Sequence, residues 1–151
     1  MPTARSIHED ELDELLALYE MLSTSNESLD PVDPAVREEF ETMLAEDSLT
    51  IVAVEHDDRV VATCMVSVTR NLTHDVRPWA VMENVVTHEA YRGQGFGTAA
   101  VEHGFDVADA AGCYKVMLLT GRESDAVHQF YEDCGFDREE KTGYVRYLDP
   151  S

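Results

Sequence analysis

The sequence predicts an α/β (α+β) fold, a mixed central sheet with helices on its faces. Three observations predict it. The apolar residues change period along the chain, from helical spacing to strand alternation and back, in the order β-α-α-β-β-β-α-β-α-β-β. The run Val116 to Thr120 is almost wholly apolar, as in a strand covered on both faces and central to its sheet. The stretch Val81 to Thr98, VMENVVTHEAYRGQGFGT, joins a β-branched run to a helical pattern through three alternating glycines. A chain of 151 residues suits one domain, spanning 1–151, around a single core.

Each element has its own reason. Thr3 to Ile7 reads as a short first strand. Leu12, Leu15, Leu16, Tyr19 and Leu22 form one helical face, with Glu9, Asp10 and Glu11 suiting the N-terminal dipole. A loop over Asn26 to Asp33 breaks it, and Pro34 opens a second helix through Val36, Phe40, Met43 and Leu44. Leu49 to Val54 and Val60 to Thr69 are strands joined at His56-Asp57-Asp58-Arg59. Asn71 to Pro78 is a polar loop before a strand from Trp79 to Thr87. Ala99, Ala100, Phe105, Ala108 and Ala111 mark a helix that Gly112 ends. Ser124 or Asp125 caps a short helix with Val127, Phe130, Tyr131 and Cys134, stopped by Gly135. Phe136 and Tyr144 to Leu148 read as a final hairpin, for six to seven strands in all.

Composition excludes several classes of function. No window reaches the ~18 apolar residues of a membrane span, and MPTARSIHEDELDE lacks the features of a signal peptide. Cys64, Cys113 and Cys134 are widely spaced and odd in number, which favours reduced thiols in a cytoplasm over a disulfide framework or zinc site. Asp and Glu number 31 against 11 Lys and Arg, a formal charge of −20, with Lys115 and Lys141 the only lysines. Such a distributed acidic coat fits a high-salt-adapted cell, since at 1 M salt the Debye length is ~3 Å and self-repulsion is screened. The alternative is a mesophilic protein with a highly soluble surface. Nucleic acid is an improbable partner, because its phosphates need a basic face.

Chemistry points first to the glycine stretch. A strand running through a glycine-rich turn into a helix N-terminus gathers backbone N–H groups and helix-dipole potential, which together hold phosphate. A Walker loop would need Gly-Lys-Ser or Gly-Lys-Thr, and no lysine is present in the stretch. A dinucleotide fingerprint would place its third glycine where Thr98 stands, and His88 to Arg92 make the connection too long. Arg92 opposes the helix dipole unless an anion binds between them.

Arg92-Gly93-Gln94-Gly95-Phe96-Gly97 and Phe130-Tyr131-Glu132-Asp133-Cys134-Gly135-Phe136 resemble the two signatures of the GNAT N-acetyltransferase superfamily. Gly112 to Val116 and the spacing resemble its glucosamine-phosphate N-acetyltransferase-like branch. The resemblance is specific from Trp79 to Leu148. It implies a GNAT fold with a splayed strand pair at the acyl-CoA site, acetyl-CoA as co-substrate, no metal, and a small-molecule primary amine as acceptor. It also allows a homodimer through the C-terminal strands.

On individual residues, the resemblance gives Val85, Val86 and Thr87 to pantetheine, and the amides of Arg92, Gly93, Gln94, Gly95, Phe96, Gly97 and Thr98 to the pyrophosphate. A backbone N–H near Val85 would polarise the thioester. Tyr131 takes the place of the general acid for the leaving thiolate, and Glu83 that of the base for the incoming ammonium, often through water. Without the resemblance, Tyr131 reads as a core aromatic and Glu83 as a cleft or solvent residue. His88, His103 and His128 read as surface or capping residues rather than bases, with His128 the alternative base, and Cys134 as a buried thiol. Relatives carry an Asn near the last helix where this chain has Arg122-Glu123-Ser124-Asp125-Ala126, and Ser124 is the substitute. Arg70, Arg77 and Arg122 are the cations available to an acceptor, too few to establish a phosphorylated one. The competing reading is a non-catalytic CoA-binding sensor or interaction module.

Overall fold

The computed structural model describes residues 2–22 and 29–149. Their contacts divide into two compact units, Met1–Leu118 and Leu119–Ser151. Part of the loop expected over Asn26 to Asp33, residues 26–28, lies outside the described residues.

In the first unit, β1 (Thr3–Ser6) is followed by α1 (Leu12–Leu22), α2 (Pro34–Ala45), β2 (Leu49–His56), β3 (Arg59–Thr69), β4 (Trp79–Thr87), α3 (Phe96–Ala110) and β5 (Val116–Leu118). The sheet order is β1-β2-β3-β4-β5. Pairing is antiparallel throughout except for parallel β4 and β5. The sheet is therefore mixed, as expected. At the β2–β3 hairpin, Asp57 and Asp58 have φ of 51° and 61°, the positive pair that matches strand twist in a two-residue turn. Asp33 caps α2 by accepting from the Ala35 amide at 2.9 Å, with Pro34 in the first turn, where its missing N–H costs nothing.

Alternation along the strands sorts the core into two layers. Ile51, Ala53, Val60 and Val86 join Leu12, Leu15, Leu16, Leu18 and Phe40 from α1 and α2 in one cluster. The intervening residues Cys64, Val66 and Met82 meet α3 at Gly104, where an added Cβ would lie 2.6 Å from Met82 Cε and 3.2 Å from Cys64 Sγ. Glycine there lets α3 seat against β3 and β4, which fixes the helix whose N-terminus follows the glycine turn. The Cys64 thiol donates to the Ala100 carbonyl at 3.3 Å, and burial pushes its pKa up to about 12, so it is chemically inert.

Two expectations need correction. The sheet has five strands among the described residues, not six to seven: residues 137–149 contain no strand, so the hairpin of Phe136 with Tyr144–Leu148 is absent. Tyr144, Tyr147 and Leu148 are 81–90% exposed, and an isolated hairpin with nothing over its apolar side is marginal in water. β5 accordingly ends the sheet order rather than lying centrally, and its three residues are half-buried.

The polar loop before β4 holds a left-handed turn instead of an ordinary one: His74, Asp75 and Val76 have φ of 56°, 60° and 63°. The Asn71 side-chain amide braces it by donating to Thr73 Oγ1 at 2.9 Å and the Arg77 carbonyl at 3.0 Å. His74 stacks on Tyr114, with centroids 3.8 Å apart.

In the second unit, α4 spans Asp125–Asp133. Ser124 is at its N-cap position, but neither it nor Asp125 supplies the expected side-chain cap bond. The helix ends in a doubly bonded cap: Gly135 N–H donates to the Glu132 carbonyl at 2.9 Å and Phe136 N–H to the Tyr131 carbonyl at 3.1 Å. Gly135 takes the φ of +104° this requires. Among the described residues no helix is long and apolar enough to cross a membrane.

Candidate functional site

The site begins where β4 outruns its neighbour. β5 pairs with β4 only over Ala80–Met82, so the edge of β4 from Glu83 to Thr87 has no strand beside it among the described residues. On the other side, β3 holds Val86 opposite Thr63 and Thr87 opposite Ala62. An unpaired edge of this kind offers N–H and C=O groups to an extended, amide-bearing ligand.

β4 also carries a bulge at this point. Met65 faces Glu83 and Thr63 faces Val86, so two residues, Asn84 and Val85, oppose Cys64 alone. Asn84 takes φ of 54°, the left-handed region that asparagine tolerates better than most residues. Asn84 went unread in the sequence. The available signal was an isolated polar, αL-tolerant residue interrupting a β-branched run. Glu83 is exposed, and no cation pairs with it among the described residues. Its facing partner Met65 packs on the α1–α2 cluster, which puts Glu83 on that face of the sheet.

The turn after β4 is open and braced from behind. His88 Nδ1 accepts from the Ala90 amide at 3.1 Å and caps the short helical turn Glu89–Tyr91, which bears out its capping role. Gly93 and Gly95 have φ of 77° and 88°, and Gly95 occupies the N-cap of α3. The first helical amide with a backbone acceptor is that of Ala99, donating to the Gly95 carbonyl at 3.1 Å. The amides of Phe96, Gly97 and Thr98 are thus left for another acceptor. Phe96 is buried, its ring 4.8 Å from that of His56, and the Arg59 guanidinium lies 5.8 Å over Tyr91. Arg92 is exposed; its Nε donates to the Thr87 carbonyl at 3.2 Å, which ties the guanidinium to the end of β4. Strand edge, glycine turn and helix N-terminus therefore form one continuous anion-accepting path from Val85 to Thr98.

In the second unit, the cap that ends α4 also sets Tyr131. Phe136, bonded back to the Tyr131 carbonyl, packs its ring edge-on against Tyr131 at 6.0 Å, and Phe130 contacts it at 5.2 Å. The FYEDCGF signature is thus a helix terminator that holds one phenol in place. His128 stands one turn earlier on the same helix. Cys134 is half-exposed rather than buried. In the first unit, Arg77 is committed to structure: its Nε and Nη2 donate to the Gly112 and Cys113 carbonyls at 3.2 and 3.0 Å. It holds the start of β4 to the approach of β5 and leaves the set of acceptor-binding cations, while Arg70 remains exposed.

Residues 15–136 match the acetyltransferase (GNAT) family. The chain is 33% identical over 96 residues to the "Probable glucosamine 6-phosphate N-acetyltransferase 2" of Oryza sativa subsp. japonica, covering 62% of this chain and 56% of that protein. It is 31% identical over 83 residues to the glucosamine 6-phosphate N-acetyltransferase of Trypanosoma brucei brucei, covering 55% and 54%. The chain thus spans about half the length of these curated relatives. A solved structure from Agrobacterium tumefaciens str. C58, described as an acetyltransferase, is 42% identical, with a TM-score of 0.88 over 96% of this chain and 99% of that one. The fold alone is shared with AAC(6')-Iy, solved with a CoA bisubstrate analogue, at 17% identity and a TM-score of 0.78 over 97% of this chain and 98% of that one.

Proposed function

Because this chain belongs to the GNAT acetyltransferase family, we propose that it transfers an acetyl group from acetyl-CoA to a primary amine of a small molecule. The observation that carries this reading is the unpaired edge of β4 running straight into the open amides at the start of α3. The edge suits the amides of pantetheine through Val85, Val86 and Thr87, and the turn from Arg92 to Thr98 suits the pyrophosphate. Ser124 is a further pantetheine contact in this reading.

The reaction is direct. The amine lone pair attacks the thioester carbonyl, an N–C bond forms, and the resulting oxyanion is met by a backbone N–H near Val85. The C–S bond then breaks, the Tyr131 hydroxyl supplies the proton the thiolate takes, and the attacking nitrogen gives up its second proton, directly or through water, to restore the phenol. Glu83, directly or through water, receives the proton of the incoming ammonium; His128 is the alternative base. A small amine is favoured over a protein amine. The relatives named for glucosamine 6-phosphate make amino sugars the first acceptors to try.

A panel of amino sugars and their phosphates, aminoglycosides, polyamines and amino acids, read by free-thiol release, tests the proposal. Turnover with one of these classes is expected. Binding of CoA with no amine turned over supports the non-catalytic sensor.

The −20 formal charge adds a prediction for the cofactor, itself a polyanion. Affinity for acetyl-CoA is expected to rise several-fold as salt increases from about 0.05 to 1 M, because screening removes the repulsion. Calorimetric titration at several salt concentrations measures this, and steady weakening with salt in a folded protein would refute it. The same acidic coat supports a high-salt-adapted cell in our reading, and the three widely spaced cysteines support its cytoplasm.

The exposed Tyr144, Val145, Tyr147 and Leu148 lead us to include a homodimer through the C-terminal segment. Light scattering is expected to give twice the 16.9 kDa chain mass, and a monomer at micromolar concentration excludes that interface.

A further inference from the structure

A cavity of about 340 Å³ opens between α1 and α2. Leu15, Leu16 and Tyr19 form one wall, Phe40 and Met43 the other, and Ile51 of β2 contributes from the sheet. Close-packed interiors leave few voids larger than a water molecule, whereas ligand pockets begin at roughly 300 Å³. Glu39 is the one charged residue of the lining, and Tyr19 the one other with a polar side chain. Leu29, Ala35 and Glu39 are its exposed members, so the cavity opens to solvent there. Arg37, on the same helix as Glu39, is committed elsewhere, its Nη1 donating to the Glu9 carbonyl at 3.0 Å. A phosphate or carboxylate would therefore meet no cation in the lining. A sugar would surrender hydrated hydroxyls to walls with almost no partners for them. An apolar body attached to a cation suits both the walls and the acidic rim.

Strand register ties this cavity to the reaction. Ile51 pairs with Met65, and Met65 pairs with Glu83, so the three stand in one row on one face of the sheet. Met65 packs on the same core cluster as Ile51. Neighbouring strands lie about 4.8 Å apart, which puts Ile51 about 10 Å from Glu83. An amine nitrogen at the Glu83 carboxylate can thus send its body across Met65 into the cavity. We infer that the acceptor is an apolar primary amine, alkyl or arylalkyl, whose ammonium meets Glu83 and whose body fills the space between α1 and α2. The inference rests on the acetyl-transfer reading and turns its acceptor from an amino sugar to an apolar amine. There is room for more than one ring, since a dry cavity of about 150 Å³ already takes benzene.

The test gives the full chain acetyl-CoA and straight-chain amines from ethylamine to octylamine, with glucosamine beside them. We expect kcat/KM to rise about fourfold with each added methylene, the ratio that burial of one such group produces. Glucosamine should fall at least tenfold below octylamine. Ala35→Phe, at an exposed position of the lining, sets a ring at the mouth and should flatten the series. Met43→Ala enlarges the cavity and should move the best substrate to a longer amine. The Ile51 methyl resonance, read with CoA bound, should shift with octylamine and stay in place with ethylamine. A flat series in the wild type, glucosamine outrunning octylamine, or an Ile51 methyl that octylamine leaves unmoved would each overturn the inference. Should Ala35→Phe fail to fold, an unmoved optimum in Met43→Ala overturns it equally. Absence of turnover with every amine, in a protein that binds acetyl-CoA, would instead overturn the acetyl-transfer reading. The Ile51 methyl would then still decide whether the cavity takes an apolar amine.

Discussion

Tyr131→Phe is expected to lower kcat by about 100-fold while leaving acetyl-CoA affinity unchanged. The loss is that of a proton donor to the departing thiolate, for which general-acid contributions of 10² to 10⁴ are usual. Phenylalanine keeps the packing of the ring. Its ring meets Phe130 and Phe136 edge-on, and the helix cap uses the backbone carbonyl of residue 131. Folding should therefore survive, and circular dichroism with a thermal melt checks that it does. Single-turnover kinetics then isolates the chemical step. Undiminished turnover would reduce Tyr131 to the aromatic residue of a helix terminator and pass the proton to water.

Gly95→Asp is expected to raise the Kd for acetyl-CoA by about 100-fold, through left-handed strain and through a carboxylate set among amides that would hold phosphate. Gly95→Ala is the control. An added Cβ at this glycine meets nothing within 4 Å, so alanine introduces only the conformational cost of φ 88°. A several-fold change for alanine against the larger one for aspartate separates shape from charge, and calorimetry reads both. Equal, small effects of the two substitutions would move the pyrophosphate away from this turn. The aspartate effect should also shrink at high salt, where the charge component is screened.

The parts of this architecture that were legible in the sequence share a strong local signal. Leu12, Leu15, Leu16 and Tyr19 mark α1 by period, Pro34 marks the opening of α2, and Gly93 and Gly95 mark a turn that needs positive φ. The hairpin at Asp57-Asp58 and the end of α3 at Gly112 were equally local. What escaped depends on relations between distant segments. The apolar composition of Val116–Leu118 suits an end strand as well as a central one, and only the pairing of β4 decides between them. Tyr144 to Leu148 have strand-like composition but find no strand partner among the described residues. The left-handed turn at His74–Val76 is unreadable because a β-branched valine is among the residues least suited to it. The bulge at Asn84 arises only from the register in which β4 pairs with β3. The glycine turn and its helix were thus visible in advance, whereas the bulge of β4 was not.

The most direct test of the central proposal is a single turnover with the protein in excess over acetyl-CoA and a mixed amine pool, analysed by mass spectrometry. The expected result is an N-acetylated small amine in one-to-one yield with free CoA. Acetyl-CoA recovered intact beside every amine, from protein shown by titration to bind it, would contradict acetyl transfer.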